Sequence, residues 1–144
     1  MKNLQGSLQP NTELILLNEI SIYKGKLTTQ AIITGVAKIK KAFPLLPMSF
    51  YEVLDERFAD NKFTDERLKD AVNHVIDTCI YPMPTVAQFI SFDRKYKVFT
   101  GEQMLKKMDE QGPEVRKCYR VLDVPELVYV HINDVKKYNL KVKT

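Results

Sequence analysis

The sequence predicts a mainly α protein: a compact helical bundle of four to five helices over residues 11–92, with a small C-terminal appendage over 93–144 built from a helix and a short strand or extended segment. Three observations predict it. Apolar residues recur at three- and four-residue steps in successive stretches, which places them on one face of each helix. Prolines separate those stretches, and a proline cannot donate to a helical ladder. Threonines stand where each apolar stripe begins, followed by acids or glutamines that suit a helix N-terminus.

Residues 1–10, rich in Asn, Gln, Gly and Ser, predict a flexible leader. A first helix is expected from Asn11 or Thr12 to Gly25, with Leu14, Leu17 and Ile20 on its buried face. A second is expected from Thr28 or Thr29 to Ala42, where Ile32, Val36, Ile39 and Phe43 form the stripe. Lys38, Lys40 and Lys41 suit its negative end. Pro44 and Pro47 close that segment. Ser49 and Glu52 have capping-box spacing for a third helix, with Phe50, Val53, Leu54 and Phe58 inward and Tyr51 flanking.

Phe63 is placed to staple onto a fourth helix capped by Thr64. Its stripe is Leu68, Ala71, Val72, Val75, Ile76 and Cys79. Tyr81-Pro82-Met83-Pro84 ends it and makes a rigid corner. A short helix then begins at Pro84-Thr85 and turns Val86, Phe89 and Ile90 to the core. Residues 93–99 read as a loop or extended linker. Thr100 with Gln103 opens a helix with Met104, Leu105 and Met108 inside, ended by Gly112-Pro113. Glu114 to Val121 predicts one or two helical turns. Leu127 to Ile132 alternates and is β-branched, which predicts a strand after a turn at 123–126. Asn133 or Asp134 would cap a last helical turn.

Composition is that of an ordinary globular domain: 44% hydrophobic, 28% charged, net charge +4. No apolar run reaches the roughly 18 residues that span a bilayer. The N-terminus lacks the pattern of a cleaved signal. Two cysteines are too few for a disulfide framework, so the expected compartment is the cytoplasm. The basic surplus is mild and permits an acidic partner without demanding one.

The chemistry-bearing residues are sparse. His74 and His131 are the two histidines, and His74 and Cys79 on one helix point well apart. Neither a phosphate-binding glycine loop nor a nucleophile elbow occurs. Cys118 lies among Arg116, Lys117 and Arg120, the one thiol with basic neighbours, and reads as a partly buried packing residue. The expectation is a non-enzyme with no cofactor, no metal and no membrane association. Two surfaces remain. Arg94, Lys95, Tyr96 and Lys97 set cations beside a ring, a combination that suits a nucleic-acid strand. Residues 52–70 are rich in acids, which suits docking onto another protein.

The stretch from Thr29 to Phe92 carries a further signal. A helix closing on Ala42-Phe43-Pro44, a second helix, a third bearing Ala71 and Val75, and then Tyr81-Pro82-Met83-Pro84-Thr85-Val86-Ala87-Gln88-Phe89 resembles the N-terminal domain of phage replicative helicase loader/inhibitor proteins. The chain is also similar to small proteins of phages and mobile elements. The resemblance implies a non-enzymatic adaptor in DNA replication that holds a hexameric replicative helicase. An initiator or single-strand-binding protein would be a further partner. Pro82, Pro84 and Thr85 would then be scaffold for the corner. That family implies a flexible tail on the helicase, whereas residues 100–144 here predict folded structure. The alternative function is a small nucleic-acid-binding module using residues 94–99.

Overall fold

The computed structural model describes residues 18–144, so the expected leader at 1–10 lies outside the described residues. The chain is mainly α and divides into two compact units. One is helical, residues 23–94; the other joins residues 18–22 to 95–144.

In the helical unit, α1 spans Thr29–Ala42, α2 Met48–Asp60, α3 Asp65–Thr78 and α4 Val86–Ile90. The predicted threonine caps are present. Thr28, Thr64 and Thr85 accept from the amides of Ala31, Arg67 and Gln88, and Gln88 returns a bond to complete a capping box. The Ser49–Glu52 box does not form. Pro47 precedes the first residue of α2 and no side chain caps that end, because a proline's fixed φ already suits a helix start. Val53, expected inward, is 47% exposed, and Tyr51 takes its place in the core.

Helix α3 is the hub. It packs on α1 and on α4, while α2 packs on α4. Ile39, Phe43, Leu54, Phe58, Phe63, Leu68, Ala71, Val72, Val75 and Phe89 are all buried together. Gly35 lets α1 and α3 meet closely, since a Cβ there would lie 2.5 Å from Leu68 Cδ2. Arg67 locks α4 to α3: Nε donates to the Phe92 carbonyl at 2.7 Å and Nη2 to that of Ile90 at 3.2 Å. Between α1 and α2 the backbones make few close approaches, and side chains such as Ile39 and Leu54 meet in the shared core.

The second unit holds two small antiparallel sheets. Strand β1, Glu19–Ser21, pairs with β2, Lys95–Lys97, matching Ser21 to Lys95 and Glu19 to Lys97. Strands β3 (Phe99–Thr100), β4 (Tyr119–Val121) and β5 (Val128–His131) form the other, in the order β3-β5-β4. Helix α5, Gly101–Gln111, carries the predicted Thr100–Gln103 capping box. A 3-10 helix follows at Pro113–Cys118, and α6 spans Ile132–Tyr138. Tyr96, Val98, Leu122, Val128 and Val130 are the core, with Ile20, Ile22, Val135 and Tyr138 packed on it.

Further expectations are corrected here. The helix predicted over 11–25 does not run through Ile20: Glu19–Ser21 is a strand, and residues 11–17 lie outside the described residues. Of the two alternatives for 93–99, loop or extended linker, the extended one holds, as strands at Lys95–Lys97 and from Phe99. Residues 95–144 group with residues 18–22 in one compact unit, and the helical unit runs from Tyr23 to Arg94. The cap of α6 is His131, whose Nδ1 accepts the Asn133 amide at 3.1 Å, so neither Asn133 nor Asp134 fills that role. Leu105, expected inside, is 62% exposed.

Candidate functional site

The four residues singled out for nucleic acid do not share one surface. Alternation along β2 turns Tyr96 inward and Lys95 and Lys97 outward. Tyr96 is 3% exposed and its ring lies 6.1 Å from that of Tyr138, with burial raising its phenol pKa. The ring meant to stack on a strand is therefore packed in the core. Arg94, the last residue of the helical unit, is exposed and stands 5.6 Å over the Phe92 ring. The later cations also meet rings of their own unit. Lys107 Nζ sits 4.6 Å from the Phe99 centroid, and the Arg116 guanidinium 4.7 Å from that of Tyr129. Those ring faces are the ones a base would need.

The histidines and thiols stay apart. His74 lies 5.1 Å from Phe92, and His131 is T-shaped against Tyr119. Cys79 is half-buried with Sγ 3.5 Å from the Tyr81 carbonyl. Cys118 is exposed rather than partly buried. Among the described residues no three His, Cys, Asp or Glu side chains converge to hold a metal, and no helix is long and apolar enough to cross a membrane.

One extended surface runs along α1 and α2. Three open clefts follow one another along it. The first, about 520 Å³, runs between Leu27 and Ile32 on one side and Ala59 and Phe63 on the other. The second, about 330 Å³, shares Ile32 with it and is lined by Ile33, Val36, Ala37, Lys40 and Asp55. The third, about 230 Å³, shares Lys40 and is lined by Phe43, Leu46, Met48 and Tyr51. The lining mixes apolar residues with Lys26, Lys62, Lys40 and Asp55, and Ile33 and Met48 are 57% and 65% exposed.

Beneath this surface, two polar atoms of α2 have no partner. The Tyr51 hydroxyl and Asp55 Oδ1 are both shut off from solvent and neither makes a hydrogen bond. Lys40 Nζ stands over the Tyr51 ring, 5.3 Å from its centroid. Burial raises the Asp55 pKa and the Lys40 charge opposes the rise; burial also raises that of Tyr51. Leaving a buried donor or acceptor unmade costs the fold roughly 1–3 kcal/mol, so this is a place where stability has been given up.

A carboxyl raised on folding weakens the fold while it is ionised. Its contribution is least unfavourable below its ordinary range and grows worse as pH climbs through the raised value. Asp55→Asn should therefore raise the thermal midpoint at pH 7 by about 2 °C. It should also flatten the gain the wild type shows on acidification. A lower midpoint in the variant would mean that the carboxylate stabilises the fold instead.

Sequence reasoning placed Tyr51 on the flank of α2 and Asp55 on its solvated face. Nothing in the spacing marks them, because what isolates them is the packing of the helices around them. A second feature was half visible: the double-proline corner leaves Ile80, Tyr81 and Met83 exposed at 84%, 68% and 54%. No protein-family model, curated protein or solved structure matches the chain.

Proposed function

We propose that this protein is a non-enzymatic adaptor that acts by docking other proteins. Its place is DNA replication of a phage or mobile element, in the manner of the helicase loader/inhibitor proteins that its helical segment resembles. The observation that supports a docking role is the α1–α2 groove: an open, partly apolar surface along two helices, above polar atoms that lack partners. Exposed apolar surface rimmed by charge is the usual mark of a protein-interaction site. The charged residues that line it are Lys26, Lys62 and Lys40 with Asp55. Charges around a docking surface set encounter rate and orientation more than affinity.

The expected partner is a hexameric replicative helicase. Mixing the purified chain with the bacterial hexamer and passing both through a sizing column with light scattering tests this. Co-elution is the expected result. Free chain and free hexamer at protein concentrations of tens of micromolar would overturn the helicase reading. Retention on single-stranded DNA that falls steeply with salt, by roughly one unit of log–log slope per phosphate contact, would favour a nucleic-acid module instead.

A further inference from the structure

We infer that two copies of this chain pair tip to tip through the double-proline corner, with the run Ile80-Tyr81-Pro82-Met83 of each copy seated against Leu45 and Met48 of the other. The inference stands apart from the adaptor reading. Helices α1 and α3 run side by side in the same direction. Thr28, the cap of α1, donates to the Asp65 carboxylate at the start of α3, from its amide at 2.7 Å and from its hydroxyl at 2.9 Å. Further along, Lys38 bonds the Asn73 side chain. Both helices therefore finish at one end of the helical unit. Helix α2 begins at that end, and its Phe50 ring lies 6.1 Å from that of Phe89 on α4. The loop after α1 and the corner after α3 thus share one tip.

That tip gathers apolar surface. Of the nine large hydrophobic residues exposed among the described residues, five lie there: Leu45, Met48, Ile80, Tyr81 and Met83. All four residues of the run 80–83 are exposed, and consecutive apolar residues left in water mark an interaction surface. At about 200 Å² for a free residue of this size, the five expose on the order of 700 Å². A standard interface takes roughly 800 Å² from each partner, so a second tip covers the first almost fully. Little order is lost in the pairing, since Pro82 and Pro84 hold the corner in shape before contact.

Two further features point to a second copy. Two-fold pairing requires a surface that complements itself, and the tip carries both halves of such a contact. The corner side chains stand out in solvent, and beside Met48 a cleft of about 230 Å³ is walled by Phe43, Pro44 and Leu46. The exposed charges around the tip are also of both signs: Lys40 and Lys41 on α1, Glu52 on α2 and Asp77 on α3. Two copies can therefore meet with opposite charges opposed. An anionic lipid surface would call for basic residues alone.

Sedimentation velocity on the full chain tests this, with loading from about 1 to 200 µM. An interface of this size predicts a reversible dimer with a dissociation constant of roughly 1–100 µM. Tyr81→Asp and Leu45→Glu should each weaken it at least about tenfold, because every substitution enters the contact twice. Leu105→Glu, at an exposed apolar position of the other unit, should leave it unchanged. All three side chains are exposed, and circular dichroism checks that the variants keep the fold.

A monomer at every loading overturns the proposal. So does a dimer that either Tyr81→Asp or Leu45→Glu leaves intact, because the contact is then elsewhere. A dimer weakened as much by Leu105→Glu overturns it too, since the association is then non-specific. A chain that stays monomeric but sediments with vesicles of about one-third phosphatidylserine, and loses them with Tyr81→Asp, assigns the tip to a membrane instead.

Discussion

Arg67→Ala should destabilise the helical unit by about 2–4 kcal/mol, measured by urea unfolding followed at 222 nm. The sequence shows only an arginine in the first turn of α3. In the structure its guanidinium closes the end of α4, bonding the Phe92 and Ile90 carbonyls. It lies 3.9 Å over the Phe63 ring and 3.9 Å from Asp93. Burial lowers its pKa, and Asp93 opposes that. Alanine would leave two carbonyls without their donor and bare one face of a buried ring. Arg67→Lys should recover less than half the loss. An ammonium keeps the charge but cannot bond both carbonyls while lying flat on the ring. Full recovery with lysine would show that charge alone matters.

Phe63→Ala should cost about 3–5 kcal/mol by the same measurement. Phe63 is 2% exposed and its ring centre lies 4.8 Å from that of Phe58. It also forms the platform under Arg67, so its removal harms two contacts at once. The double variant Phe63→Ala, Arg67→Ala should therefore lose less than the sum of the singles, by roughly 0.5–3 kcal/mol. Strict additivity would mean that ring and guanidinium act independently. Phe63→Leu should lose clearly less than alanine, because it refills most of the cavity.

Much of the helical unit is legible from local chemistry. The stripe Ile32, Val36, Ile39 and the caps Thr28, Thr64 and Thr85 each need only a few neighbouring residues to declare themselves. The strand at Val128–His131 was legible for the same reason, since its alternation is local. What failed was non-local. Glu19–Ser21 becomes a strand only because Lys95–Lys97 comes back beside it from far along the chain, and Leu14, Leu17 and Ile20 happen to keep helical spacing. The segment Asp93–Phe99 did carry a signal that was read for charge instead of period: Tyr96 and Val98 are buried while Lys95 and Lys97 are exposed. The groove was invisible altogether. Lone acids and tyrosines on a helix are common, and only the burial of their polar atoms without a partner makes Asp55 and Tyr51 unusual.

The pairing of Ser21 with Lys95 has an effect on how the chain assembles itself. Everything between those two residues is, from the sheet's point of view, one very large loop. Joining its ends from a floppy chain would cost about 4 kcal/mol in lost freedom, on the logarithmic scaling of closure with length. If the intervening helices condense first, they deliver both ends already near each other and most of that penalty disappears. Maturation of the protein is then ordered from the inside outward, with the terminal segments zipping last, and a late-formed β1–β2 ladder would be the first part to come undone under stress.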